Sequence, residues 1–391
     1  MNLHKEETMK KGTLRFERKQ TVSLSRKILN PVVFILLGFV FSSIFIIANG
    51  FQPIPVFGKM ISYSLLNTKG FIGSINAALP LMFCGLSVAI AFKMNLNNIG
   101  AEGQFAMGAI VGGAFALYGP SLPAPLSGVV MFFLCALGGG LWALLAAALK
   151  AFWKVNETIV TLMLNYIALL FLDYLCYGPW MAPKQTTAMT VKIPENLFLP
   201  VINGTSSGLI LAILIAVLLH LFLKYTAAGY QISVIKNSIG TAEYAGIPVK
   251  KYILIVLALS GALAGIAGFV QVTGIVHRVQ AQLPGGSGYT GIVIAYLSQC
   301  NPLAIILVSV LFGALQNSSA VVQIMGVPSQ IVTMLQGTLM ISVIAGEFFN
   351  RYRITYCKAE RSDYTAEPND DMQEPKQRNV DNQEPKKGAV Q

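Results

Sequence analysis

The stretch Asn95-Leu96-Asn97-Asn98-Ile99-Gly100-Ala101-Glu102-Gly103-Gln104 interrupts membrane-grade apolar sequence with a carboxyl group, four carboxamides and two glycines. Such groups are costly in hydrocarbon. Polar or irregular backbone at membrane depth is tolerated only where protein or a watery cavity surrounds it. The stretch therefore marks a transport pathway rather than a simple anchor.

The chain as a whole is 54% hydrophobic and 12% charged, with a mean hydropathy of +0.62, which excludes an ordinary soluble domain. Three histidines and five scattered cysteines form no CxxC and no ligand cluster, so no metal or cofactor chemistry is expected in this chain. Apolar stretches long enough to cross a bilayer fall near 31–49, 74–92, 101–118, 124–149, 158–177, 209–223, 252–273, 287–299, 302–319 and 329–346. They predict an all-α polytopic membrane protein of about ten transmembrane helices. Ten passes put both termini on the cytoplasmic side and leave only Lys59, Lys69, Lys184, Lys192 and Arg278, of the 28 Lys and Arg, outside. Basic excess on the inner side is the expected topogenic signal, and it explains the net charge of +11 without nucleic acid.

Residues 1–30 form a basic N-terminal segment and 31–349 the transmembrane domain. Residues 350–391, rich in Glu, Asp, Lys, Gln and Pro, read as a disordered cytoplasmic tail. Each half of the domain holds a broken, Gly-rich segment: Asn97 to Gly113, and Pro284-Gly285-Gly286-Ser287-Gly288-Tyr289-Thr290-Gly291. Interruptions at corresponding places in two halves point to an inverted repeat with the solute path between them. The spacings Gly108…Gly112 and Gly261…Gly265, with Gly138-Gly139-Gly140, predict close helix packing.

The polar segment 224–251 is longer than a connection between adjacent helices requires. Within it Thr241–Ala245 predicts a short helix, with Gly240 before it and Gly246 as its C-terminal stop. Such an exposed helix, carrying Glu243 and Tyr244, suits docking into a groove on a cytosolic partner.

Four stretches in order then carry a family likeness. They are Asn98–Gln104; Asn156-Glu157-Thr158-Ile159-Val160-Thr161-Leu162-Met163-Leu164-Asn165; Ala242-Glu243-Tyr244-Ala245-Gly246-Ile247 with Leu259–Gly265; and Tyr289–Ile292 through Asn301-Pro302-Leu303 to Leu311–Leu315. Together the chain resembles a permease subunit of a bacterial ABC importer, of the branch that carries nucleosides and simple sugars. It departs from the usual pattern at Ser233 and Lys236. The resemblance implies a multi-pass protein of the bacterial plasma membrane. It also implies a cytosolic ABC ATPase, an extracytoplasmic solute-binding protein (often a lipoprotein), and a second permease subunit, commonly a different chain. The 224–251 segment would then be the ATPase coupling loop, with Gly240, Glu243, Tyr244 and Gly246 at its contact. No G-x-x-x-x-G-K-[ST] loop occurs, so the chain is not itself an ATPase and ATP-Mg is expected on the partner.

A nucleoside or sugar is neutral and rich in hydroxyls, so its path needs hydrogen-bonding groups without strong fixed charge. Thr161 and Asn165 share a helical face. With Asn97, Asn98, Glu102, Gln104 and Gln336 they are the candidate pathway residues. Glu102 is expected to pin its own break through the N–H groups around Gly103 and Gln104. Asp173 is expected at the outer interface, and Gln316 and Asn317 where a binding protein docks. The alternative, an ion-gradient-driven secondary transporter, finds little intramembrane charge beyond Glu102 and Asp173 and leaves 224–251 without a role.

Overall fold

The computed structural model describes residues 13–18, 24–120 and 122–357, in two compact units. The smaller unit is a two-stranded sheet of β1 (Thr13–Arg18) and β4 (Tyr352–Cys357). Strand β4 lies inside the stretch expected as a disordered tail, so regular structure runs past residue 349. The rest of that tail, from 358, and residues 1–12 of the basic segment lie outside the described residues.

All ten apolar stretches are helical. They correspond to α1 (Leu24–Ala48), α3 (Thr68–Phe92), α4 (Ala101–Tyr118), α5 (Ala124–Trp153), α6 (Glu157–Tyr177), α7 (Gly208–Tyr225), α10 (Val249–Gln271), α11 (Ser287–Leu297), α12 (Pro302–Ile324) and α13 (Ser329–Arg351). The short α2 (Pro53–Ile61) follows α1. Among the described residues, six helices are long and apolar enough to cross a membrane: α3, α5, α6, α7, α12, and α10 with the π turn that extends it to Val276. Length and composition thus support six of the expected ten or so. Helix α11, Ser287–Leu297, is shorter. Helix α4 falls short for a different reason, because its first turn carries Glu102 and Gln104.

Asparagines and hydroxyls set the helix starts by accepting otherwise orphaned N–H groups. Asn67 caps α3 and Asn156 caps α6. Asn301 caps α12, with Pro302 at the first helical position. The 224–251 segment is more regular than expected. It holds α8 (Ala227–Asn237), capped by Thr226, and α9 (Ile239–Tyr244), capped by Ser238. Gly240 therefore lies inside the short helix rather than ahead of it. Gly246 does end that region, with φ +73°, where a side chain would be strained.

Helices α3 and α10 form the centre, with 78% and 67% of their most apolar windows buried; α6 and α7, at 28% and 22%, lie at the periphery. The glycine motifs explain how α10 comes so close to α4 and α5. A Cβ on Gly265 would collide with the Cys135 carbonyl, one on Gly139 with the Gly261 carbonyl, and one on Gly108 with the Gly265 backbone. Here the small residues permit backbone contact, as their spacing predicted.

At the end of the bundle opposite α8 and α9, residues after α6 run antiparallel to 273–281. Thr190 N–H donates to the Val279 carbonyl (2.9 Å), Ile193 to His277 (3.0 Å) and Leu199 to Thr273 (3.0 Å). The strap ends in the hairpin of β2 (Val201–Ile202) and β3 (Thr205–Ser206), which Asn76 of α3 holds by two hydrogen bonds. His277 stacks on Phe198 (4.0 Å), and burial together with the Lys192 charge lowers its imidazole pKa.

Gly265→Val should destabilise the helical unit by about 1–3 kcal/mol, the usual cost of overpacking. Gly128→Ala, where a Cβ meets nothing within 4 Å, is expected to leave it unchanged or firmer. Thermal unfolding of the purified protein in detergent distinguishes the two.

Candidate functional site

Two chain breaks meet inside the bundle. The first follows α3, passes through Asn95 at φ +59° and opens α4 at Gly100. The second follows the π turn of α10, passes through Gln282, Gly285 and Gly286, all at positive φ, and opens α11. Each helix start leaves N–H groups without intrahelical acceptors, so these buried donors need partners from elsewhere.

Glu102, 3% exposed, supplies them for α11. One of its carboxyl oxygens accepts from Gly286 N–H at 2.7 Å and the other from Gly288 N–H at 2.6 Å. An acidic side chain at a helix N-terminus gains from both the charge-assisted bonds and the helix dipole. The contact needs glycine, since a Cβ on Gly288 would strike the Glu102 backbone. This corrects the expectation that Glu102 pins its own break: its partners belong to the other one. Sequence spacing could not reveal the pairing, because 184 residues separate Glu102 from Gly286. Asp173, expected at the outer interface, also reaches the second break and accepts from the N–H of Gln282 (3.1 Å) and its side-chain amide (2.8 Å).

The first break is held by carboxamides. Asn98 and Gln104 donate to each other at 2.9 and 3.0 Å, and the Asn98 oxygen also accepts Gly100 N–H at 2.9 Å. Asn98 donates further to Ser260 Oγ of α10 at 2.7 Å, and Ser260 donates to the Ser87 carbonyl of α3 at 2.6 Å. Asn165 of α6 accepts Gly103 N–H at 2.8 Å and donates to the Ile99 carbonyl at 2.9 Å. Asn165 also lies 3.4 Å from the Tyr289 hydroxyl of α11. Thr161, one turn earlier on α6, donates to the carbonyl of Glu157 at 2.8 Å.

Asn98, Glu102, Gln104, Thr161 and Asn165 thus gather around the first turn of α4, all nearly inaccessible. Asn97 is exposed and its N–H reaches Glu157 Oε1 at 3.3 Å. Glu157 in turn pairs with Lys150 at 2.8 Å. Gln336 of α13 is half-buried and donates to Thr290 Oγ1 at 2.8 Å, again on the first turn of α11. That turn is consequently clasped from α4, α6 and α13. Gly240, Glu243, Tyr244 and Gly246 stand apart on the α8–α9 segment, where Tyr244 is 98% exposed. Asn317, expected to face a docked protein, instead donates to the Gly70 carbonyl of α3 at 2.8 Å. Sequence reasoning missed Ser87, Ser260 and Tyr289; a lone hydroxyl within an apolar span is a weak signal until its partner is known. Among the described residues no three His, Cys, Asp or Glu side chains are placed to hold a metal ion.

Residues 70–344 match the family described as the permease component of branched-chain amino acid transport systems. Among similar proteins, the glucose ABC transporter permease protein TsgB13 of Haloferax volcanii is 28% identical, over 87% of this chain and 93% of that one. The nucleoside ABC transporter permease protein NupB of Lactococcus lactis is 28% identical over 86% and 95%. The guanosine ABC transporter permease protein NupP of Bacillus subtilis is 30% identical over 81% and 92%.

Glu102→Ala would leave two buried N–H groups without an acceptor, a cost of roughly 2–6 kcal/mol. Amide exchange at the first turn of α11 should rise sharply, while α5 and α7 keep their protection. Glu102→Gln, which retains one acceptor oxygen, is expected to fall between.

Proposed function

The chain belongs to the family of permease components of branched-chain amino acid transport systems, and we propose that it is the transmembrane subunit of an ATP-driven importer for nucleosides or related simple sugars. The observation that carries the reading is the carboxamide-rich knot at the meeting of two helix breaks, in a chain aligned almost end to end with nucleoside and glucose permeases.

The ten helices that match the apolar stretches would cross the bilayer with both termini cytoplasmic. On that arrangement α4 and α11 start at depth and lead away to opposite faces, the pattern an inverted repeat would produce. Asn97, Asn98, Glu102, Gln104, Thr161, Asn165 and Gln336 are proposed as the gate of the solute path. When closed, these groups satisfy one another; when open, they offer hydrogen bonds to a hydroxylated, uncharged solute. Alternation then requires only that nucleotide and solute bind the two states with different affinity.

The family implies a cytosolic ATPase that binds ATP-Mg and an extracytoplasmic solute-binding protein, with a second permease completing the pore. The proposed contact for the ATPase is α9, where Gly240, Glu243, Tyr244 and Gly246 present one exposed aromatic and one acid at a sharp turn. A large, fully accessible Tyr on a polar segment is costly to leave in water and well suited to anchor an interface.

Cells lacking this chain should lose ATP-dependent uptake of labelled guanosine, other nucleosides or glucose, and regain it on complementation. Unchanged uptake of every solute tried would refute the assignment. In the reconstituted importer, Tyr244→Ala is expected to weaken ATPase docking by about 2 kcal/mol, roughly thirtyfold, without removing the subunit from the membrane. Full transport by that variant would rule out α9 as the docking point.

A further inference from the structure

A cavity of about 410 Å³ opens at the end of the bundle that carries α8 and α9. Four parts of the chain wall it: Lys93 just after α3, His220 and Lys224 from the last turns of α7, Ser233 from α8, and Gln299 and Asn301 from the link between α11 and α12. Ten residues line it and none is acidic. Among the described residues neither lysine has a carboxylate within ion-pairing distance; Lys224 lies over the Tyr225 ring at 5.1 Å.

Lysines at these positions have a plain explanation as topogenic charges, and they also complement the C-terminal dipoles of α3 and α7. That explanation calls for lysines that point separately into water. It does not call for two of them to share one concavity with an imidazole and two carboxamides. Asn301 spends its side-chain oxygen on capping α12, at 3.1 Å from Leu303 N–H, which leaves its NH₂ donors for another acceptor. The N-terminus of α12, Pro302, also lines the cavity and adds positive partial charge. The lining thus presents two cations and several donors and no carboxylate.

We infer that this cavity binds a phosphate group, gripped by Lys93 and Lys224 with His220, Gln299 and Asn301 as supporting donors. Basic pockets between helix ends at the inner surface suit anionic headgroups, and the volume accommodates one with its glycerol. A bound phosphate would tie α8, which leads into α9, to the ends of α7 and α12. That this end faces the cytoplasm rests on the topology proposed above; the binding itself does not.

The test uses the purified full chain in nanodiscs of phosphatidylcholine with a minor share of phosphatidylglycerol, reading bound phosphatidylglycerol by native mass spectrometry. Lys93→Gln with Lys224→Gln should lower retention by about 25-fold, from roughly fivefold per lysine near a membrane surface. Lys93→Arg with Lys224→Arg should keep it, and Lys59→Gln with Lys69→Gln, at the opposite end, should not change it. A parallel arm measures inorganic phosphate by ³¹P line broadening in lipid-free detergent. Lipid retention lost in the Gln pair without any phosphate broadening assigns the site to a headgroup. Broadening that the Gln pair abolishes assigns it to free phosphate. If the Gln pair matches the unaltered chain in both arms, no phosphate site exists there. Equal thermal unfolding of the Gln and Arg pairs separates lost binding from lost folding, and neither arm depends on transport.

Discussion

Hydrocarbon offers no hydrogen bonds, so each polar group inside the bundle must find its partner within the protein. Glu102 meets that requirement for the start of α11. Its backbone lies in the first turn of α4, while its carboxyl group satisfies the first turn of α11. The bundle thereby tolerates two helix starts in its interior, where orphan N–H groups would otherwise cost several kcal/mol each. Asp173 adds a second carboxyl to the same break, so acids of the first half stabilise the irregular backbone of the second.

The packing around this contact follows from it. Close approach is possible only where side chains are absent, which is why Gly288 faces the Glu102 backbone and Gly291 faces Cys84. The neighbouring glycines of α4, α5 and α10 bring three backbones together without a hydrophobic driving force between helices. Carboxamides of Asn98, Gln104 and Asn165 then complete the polar centre. Carboxamides that satisfy one another can exchange their internal bonds for bonds to a polar solute with little net change in energy, a property useful in a gate.

Much of this was legible in the chain. Periodicity and hydropathy located each apolar helix, and the glycine spacings identified the helix faces that touch. The unusual residues 95–104 were recognisable as a centre because a carboxyl group in apolar sequence demands an explanation. Less legible were α8, whose pattern is weakly amphipathic, and the roles of Asp173 and Asn317. Both side chains bond to neighbours far away in sequence.

What the amino-acid order determined alone was therefore local: which segments are helical, where they start and stop, and which contain groups that oil will not accept. Periodicity carries that information because each residue's cost depends on its own chemistry and its neighbours within a turn or two. Only the folded arrangement decided that the acid of one break serves the amides of the other. A carboxyl group bonds whichever donors lie within about 3 Å, and helix packing across 184 residues, not sequence spacing, brought those donors there.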